Sequence, residues 1–244
     1  MARSQTPDVV IVGGGIAGIA TAYYLGRNGV RSLIVERDAI GSHASGFAYG
    51  GIGGLSGPGV PGPGLAMLTE GMRLHRQLAE ELPVETGVET DFRDRPTLSL
   101  AFSEEEAKAG QADLGWQRRQ PGYSVNWLDR VGLRSVDRRI SPDALGGLYT
   151  EGPADLDPYK LVLAMAGSAE GRGASIRHGG VTGLTREKNR ITGVVVEKDE
   201  RVSCRSVVLA MGPWTGEASP WLGVPTPVRP LKGQILRLRA PGAA

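Results

Sequence analysis

One cysteine, Cys204, stands in 244 residues. An intrachain disulfide is therefore impossible, and no thiolate cage for a metal can be built. No bound metal is expected, and a reducing compartment suits the chain. Aromatic residues make up 5% of the sequence and the net charge is only +2. The densest basic group, Arg134, Arg138 and Arg139, is short and has no interleaved aromatics. Both features argue against a nucleic-acid partner. Long apolar runs are also missing. Val9 to Val12 is far too short for a signal or membrane segment, and no other stretch approaches about 18 apolar residues. A soluble, cytoplasmic protein without a membrane span is the expectation. No internal repeat, Ser-His-Asp set, His-Glu-x-x-His or P-loop pattern appears.

Glycine is abundant, with 37 residues, so many backbone positions must turn sharply or approach something closely. The rest of the composition is ordinary, and the length suffices for one large domain or two small ones. Asp8 to Val12 is β-branched and apolar between Pro7 and Gly13, which predicts a buried strand. Ile16 to Asn28 predicts a helix ended by Gly29. Ser32 to Glu36 predicts a second strand, parallel to the first because a helix connects them.

Gly41 to Gly64 has the composition of a linker, but a long loop so early in a sheet is more often functional. A helix is expected over Leu65–Leu82, with His75 on its apolar face as a core or boundary histidine. The middle region reads as a separate, more antiparallel lobe, with strands at Thr97–Ala101, Val125–Leu128 and Leu145–Thr150. Ser103 and Glu106 form a capping box within it. Asp157-Pro158 opens a helix reaching about Glu170. Strands follow at Ala174–Arg177, Val181–Arg186 and Ile191–Lys198, the last two joined by a turn at Lys188-Asn189. Further strands are expected at Ser206–Ala210 and Gln234–Leu238. Cys204 reads as a strand residue and nothing more.

Gly13-Gly14-Gly15-Ile16-Ala17-Gly18 gives a G-x-G-x-x-G between a strand and a helix, and Glu36 closes the next strand. Each part has a physical task. Gly13 permits the tight turn, Gly15 lets a pyrophosphate approach bare backbone, and Gly18 lets the helix pack closely. The helix N-terminus offers unpaired N–H groups to phosphates. Glu36 accepts from ribose hydroxyls and would repel a 2′-phosphate. This unit alone leaves NAD and FAD both open.

Other segments add to it. Gly41-Ser42-His43-Ala44-Ser45-Gly46 with Gly50-Gly51, Asp157-Pro158, Val181, Val207 to Trp214, and Pro230-Leu-Lys-Gly-Gln234 together resemble the D-amino-acid oxidase-like flavoproteins. Glycine oxidases, sarcosine oxidases and D-amino-acid dehydrogenases are members of that family. The resemblance runs from Asp8 to about Leu238.

It implies an α/β fold: a Rossmann-like FAD-binding domain whose βαβ sheet carries an antiparallel crossover hairpin. An inserted, mostly antiparallel α+β substrate lobe interrupts it. The boundaries expected are 1–85 and 151–218 for the FAD-binding parts, and 86–150 and 219–244 for the substrate lobe. The cofactor implied is FAD. Its contacts are expected from Gly13, Gly15, Ile16, Ala17, Gly18, Glu36, Arg37, Ser42, His43, Ala44, Ser45, Gly50, Gly51, Val181, Ala210, Gly212 and Trp214. Val181 meets adenine through its main chain in this scheme; Trp214 is open both as a contact near the flavin and as a packing residue. A histidine before a small-residue run carries the flavin covalently in one branch, so His43 is open both as an attachment point and as a polar loop residue.

The activity implied is oxidation of a small amine or amino acid by hydride transfer to flavin N5, followed by imine hydrolysis. Oxygen or an electron carrier then takes the electrons. Family members are considerably longer, and the residues that clamp the substrate carboxylate lie past the matched stretch, so no catalytic residue is assigned. A C-terminally truncated product is the expectation. A non-catalytic FAD-binding remnant, a subunit needing a partner, and a hydroxy-acid flavin or NAD dehydrogenase are the alternative readings.

Overall fold

In the computed structural model, which describes residues 6–57 and 59–236, the chain begins with β1 (Val9–Val12), α1 (Ile16–Arg27) and β2 (Ser32–Glu36). Then come β3 (Gly51–Ile52), α2 (Pro63–Thr86), β4 (Arg93–Asp94), β5 (Thr97–Ala101) and α3 (Glu104–Gln117). The middle closes with β6 (Ser124–Asp129), α4 (Arg130–Val136), β7 (Gly146–Glu151) and β8 (Ala154–Asp155). The last part holds α5 (Pro158–Gly171), β9 (Ser175–His178), β10 (Val181–Glu187), β11 (Arg190–Val196), β12 (Glu200–Ser203), β13 (Ser206–Leu209) and α6 (Ser219–Leu222). Two compact units result. One comprises residues 1–49, 82–89 and 158–244; the other comprises 50–81 and 90–157.

The first unit is built on a parallel sheet of order β13-β1-β2-β9. Alternation within β1 sorts its side chains. Ile11 faces α1, where its Cγ2 lies 3.2 Å from the point a Cβ on Gly18 would occupy. Val10 and Val12 face the other way, into a cluster with Val35, Val194, Val196 and Cys204. Val194 and Val196 come from the antiparallel sheet β10-β11-β12, so the parallel sheet is sandwiched between helices and a second sheet. Val10, Ile11, Ile19 and Ile34 are wholly buried; removing each such side chain from water is worth about 1.5–3 kcal/mol before ordering costs. α5 packs beside α1 at Gly26, where an added Cβ would meet Arg172 Cβ at 3.0 Å.

The second unit carries the antiparallel sheet β5-β7-β6 and the small sheet β3-β8-β4. Trp127 of β6 covers Gly110 of α3, where a side chain would run into its ring at 2.9 Å. The capping box forms as expected: Glu106 N–H donates to Ser103 Oγ at 3.1 Å, and Ser103 N–H to Glu106 Oε2 at 3.3 Å.

Several elements differ from the sequence reading. α2 is longer than Leu65–Leu82 and continues past Pro83. α4 was not foreseen; Asp129 Oδ1 starts it by accepting from Val131 and Gly132 N–H at 3.0 and 2.8 Å. β12 was likewise unforeseen, and Cys204 sits in the two-residue link after it rather than in a strand. The strand expected at Gln234–Leu238 lies partly outside the described residues, and Gln234–Leu236 form no strand. Among the described residues, no helix is long and apolar enough to cross a membrane.

Candidate functional site

The turn after β1 is pinned on several sides. Gly13 has φ +111°, which a glycine adopts readily. A Cβ there would collide with the Ala210 carbonyl beyond β13, and a Cβ on Gly18 would collide with the Gly13 carbonyl. Gly14 N–H donates to Glu36 Oε2 at 2.6 Å, while Asp38 N–H donates to Glu36 Oε1 at 2.8 Å. The Glu36 carboxylate is thus held by main chain on both oxygens, and it joins the turn to the end of β2.

The segment after β2 folds back on this turn. Gly41 N–H donates to Gly14 O at 3.0 Å. Ser45 Oγ accepts from Ile16 N–H at 2.9 Å, capping α1 from a distance, because Gly15 at the N-cap has no side chain to do so. A serine hydroxyl that accepts still has a hydrogen to give. Ser42 Oγ is buried and has no hydrogen-bond partner, a state that buried hydroxyls rarely keep.

These groups border one cavity of about 310 Å³ at the C-terminal ends of the parallel strands, where ligands of open α/β sheets bind. Gly13, Gly15, Glu36, Arg37, Ser42, His43, Ala44, Ser45, Val181, Ala210, Gly212 and Trp214 line it. Ile16, Ala17 and Gly18 form the first turn of α1 and do not line it. Gly50 and Gly51 belong to the other unit, where Gly51 pairs with Asp155 in β3–β8. The sequence reading missed Gly179, Gly180, Thr182, Glu197 and Glu217 on the cavity wall. A register count through the Lys188-Asn189 turn would have found Glu197, since Val196 pairs with Val181.

One rim of the cavity is a stack. The Arg37 guanidinium lies 4.4 Å over the Trp214 ring, a cation–π contact. His43 meets the same ring edge-on at 4.8 Å, and His43 Nε2 sits 2.8 Å from Asp38 Oδ2. That hydrogen bond, helped by Arg37, holds the Asp38 carboxyl below the usual range. Away from the cavity, in the second unit, burial pushes the His75 pKa down, and its Nδ1 is buried without a partner. Among the described residues, no group of three or more His, Cys, Asp or Glu is placed to hold a metal ion.

A glycine turn from parallel strand to helix, with a main-chain-held carboxylate closing the next strand, defines a dinucleotide-binding α/β fold. The chain belongs to the DAO family of FAD-dependent oxidoreductases, which it matches over residues 8–244. It is similar to glycine oxidase of Geobacillus kaustophilus, 29% identical over 236 residues, covering 96% of this chain and 62% of that protein. It is also similar to the hydrogen cyanide synthase subunit HcnC of Pseudomonas aeruginosa, at 27% identity and 64% coverage of that protein. The crystal structure of glycine oxidase from Bacillus cereus superposes with a TM-score of 0.77 at 29% identity, covering 88% of this chain and 58% of that one. The chain therefore spans less than two thirds of the length of these relatives.

The residues present fit FAD. The unpaired Ser42 hydroxyl, the backbone exposed at Gly15, and the Glu36 carboxylate supply donors and an acceptor that an adenine dinucleotide needs.

Proposed function

We propose that the first unit holds FAD, that the second is substrate lobe, and that the whole enzyme oxidises an amine or amino acid. The observation that carries this is the meeting of Gly15, Ser42, Ser45 and Glu36 in the lining of one cavity. The Gly15 main chain, at the N-cap of α1, faces the diphosphate. Ser45, already accepting from Ile16, turns its hydrogen to a phosphate oxygen, and Ser42 gives its orphaned hydroxyl the partner it lacks. Glu36 accepts from the ribose. Its carboxylate is already oriented by two N–H groups, so little ordering remains to be done on binding.

The cofactor supplies a two-electron sink for the carbon–hydrogen bond beside the amine. The imine that remains hydrolyses to a carbonyl compound and ammonia or an amine, and oxygen or an electron carrier takes the electrons. The similarity to glycine oxidase favours a small amino acid as substrate.

The test is direct. The purified chain should carry a flavin absorption spectrum, and Gly15→Val should lose it while leaving far-UV circular dichroism unchanged. Full FAD retention by Gly15→Val would place the diphosphate elsewhere. A glycine-dependent bleaching of the flavin would support the substrate class.

A further inference from the structure

Pro158 opens α5, and the next residue, Tyr159, reaches the loop that follows β2. Tyr159 is 41% exposed, so much of its surface is covered even in the first turn of the helix. The Cδ2–Cε2 edge of its ring lies against two glycines. A Cβ added at Gly41 would meet Tyr159 Cδ2 at 3.2 Å, and one added at Gly46 would meet the same atom at 3.1 Å. Val162, the next residue on that face of α5 and wholly buried, meets the Gly41 position at 3.2 Å too.

Gly41 and Gly46 form the neck of that loop. A side chain on Gly46 would collide with the Gly41 carbonyl, so the two residues touch main chain to main chain. Between them stand Ser42 and Ser45, which both line the cavity. Two hydrogen bonds tie the loop to the turn after β1: Gly41 N–H donates to Gly14 O at 3.0 Å, and Ser45 Oγ accepts from Ile16 N–H at 2.9 Å. α5 adds a support made by contact alone. It works only because both neck residues are bare, since any side chain there would hold the ring away.

We infer that Tyr159 is a positioning residue for the cofactor: its ring holds the Gly41–Gly46 neck, so that Ser42 and Ser45 are already placed when the diphosphate arrives. Tyr159 does not itself line the cavity; it acts through the two serines. Without the ring, the loop samples more conformations when empty. Binding must then order both side chains and the backbone between them, and affinity falls by that amount. This rests on the nucleotide reading given above and deepens it.

Titrations with FAD and with ADP test it on wild type, Tyr159→Phe, Tyr159→Ala, Ser45→Ala and the Tyr159→Ala/Ser45→Ala double variant. Tyr159→Ala is expected to bind both ligands about tenfold more weakly, with the far-UV circular dichroism of wild type. Tyr159→Phe keeps the ring and should keep most of the affinity. Because Tyr159 acts through the loop that carries Ser45, the double variant should lose less than the product of the two single losses. If Tyr159→Ala does not fold, Tyr159→Leu, which fills much of the space without a flat edge, carries the same expectation. Unchanged affinity in the folded variant, or losses that simply multiply in the double variant, would show that Tyr159 only covers α5. Binding of neither FAD nor ADP by wild type would instead overturn the nucleotide reading, and this inference with it.

Discussion

Ser45 Oγ accepts the main-chain N–H of Ile16 at 2.9 Å, across 29 residues of sequence. The second glycine-rich segment is thus a structural part of the first. Ser45→Ala should cost about 1 kcal/mol in urea unfolding, as loss of a helix cap does. It should also weaken FAD binding, and Ser45→Thr should recover part of both.

Two glycines of the motif should separate stability from binding. Gly18→Ala drives a Cβ into the Gly13 carbonyl, and overpacking of that kind typically costs about 1–3 kcal/mol. Gly15→Ala meets only Ser45 Oγ, at 3.2 Å, and should stay within about 0.5 kcal/mol of wild type. Thermal melts of the apoprotein, beside FAD titrations, distinguish the two. Gly15→Ala should lose affinity with little change in melting, and Gly18→Ala should lower the melting temperature outright.

His75 gives a pH signature. Burial lowers its pKa below the ordinary 6.5, so the folded state resists a proton that the unfolded chain accepts. Stability is then highest above about pH 6.5 and falls as the pH drops through that value. His75→Leu removes both the titration and the partnerless Nδ1. It should raise the urea midpoint more at about pH 5.5 than at about pH 7.5.

Asp155 gives the opposite kind of group. Its carboxylate bonds Arg93 Nε at 2.7 Å and also Arg95 Nη1. Arg93, then Arg95, hold its pKa below the ordinary 3.8 against the opposing effect of burial. Its contribution is present above about pH 4 and is lost as the pH falls through the lower folded value. Asp155→Asn should therefore narrow the gap between neutral and acid stability. Because both arginines are largely exposed, about 1 M salt should shrink the difference between variant and wild type.

The parts of the fold visible in the sequence were those with a local cause. β1, α1 and β2 follow from a β-branched run, a glycine turn and an apolar face, and Ser103 with Glu106 marked α3 by spacing alone. α4 was hidden because it has seven residues and only Leu133 buried, too little periodicity to register. β12 was hidden because Glu200 and Arg201 are exposed edge residues with no alternating pattern. In the cavity, Gly13, Gly15 and Glu36 were readable from one βαβ unit. Glu197 was not, since a carboxylate ending a strand looks like any solvated charge until the register across the hairpin is known. Ser42 and Ser45 were marked by the resemblance alone, and their hydrogen-bonding states depend on backbone brought near from far along the chain.

Cys204 is buried among Val10, Val12 and Val194, and burial pushes its thiol pKa up. The chain's sole sulfhydryl is thus both protonated and shielded, and slow to react with alkylating reagents. A cysteine introduced at exposed Ala44, on the cavity lining, would be the one site a maleimide dye reaches. Cofactor occupancy could then be followed by fluorescence without first stripping the native protein of thiols.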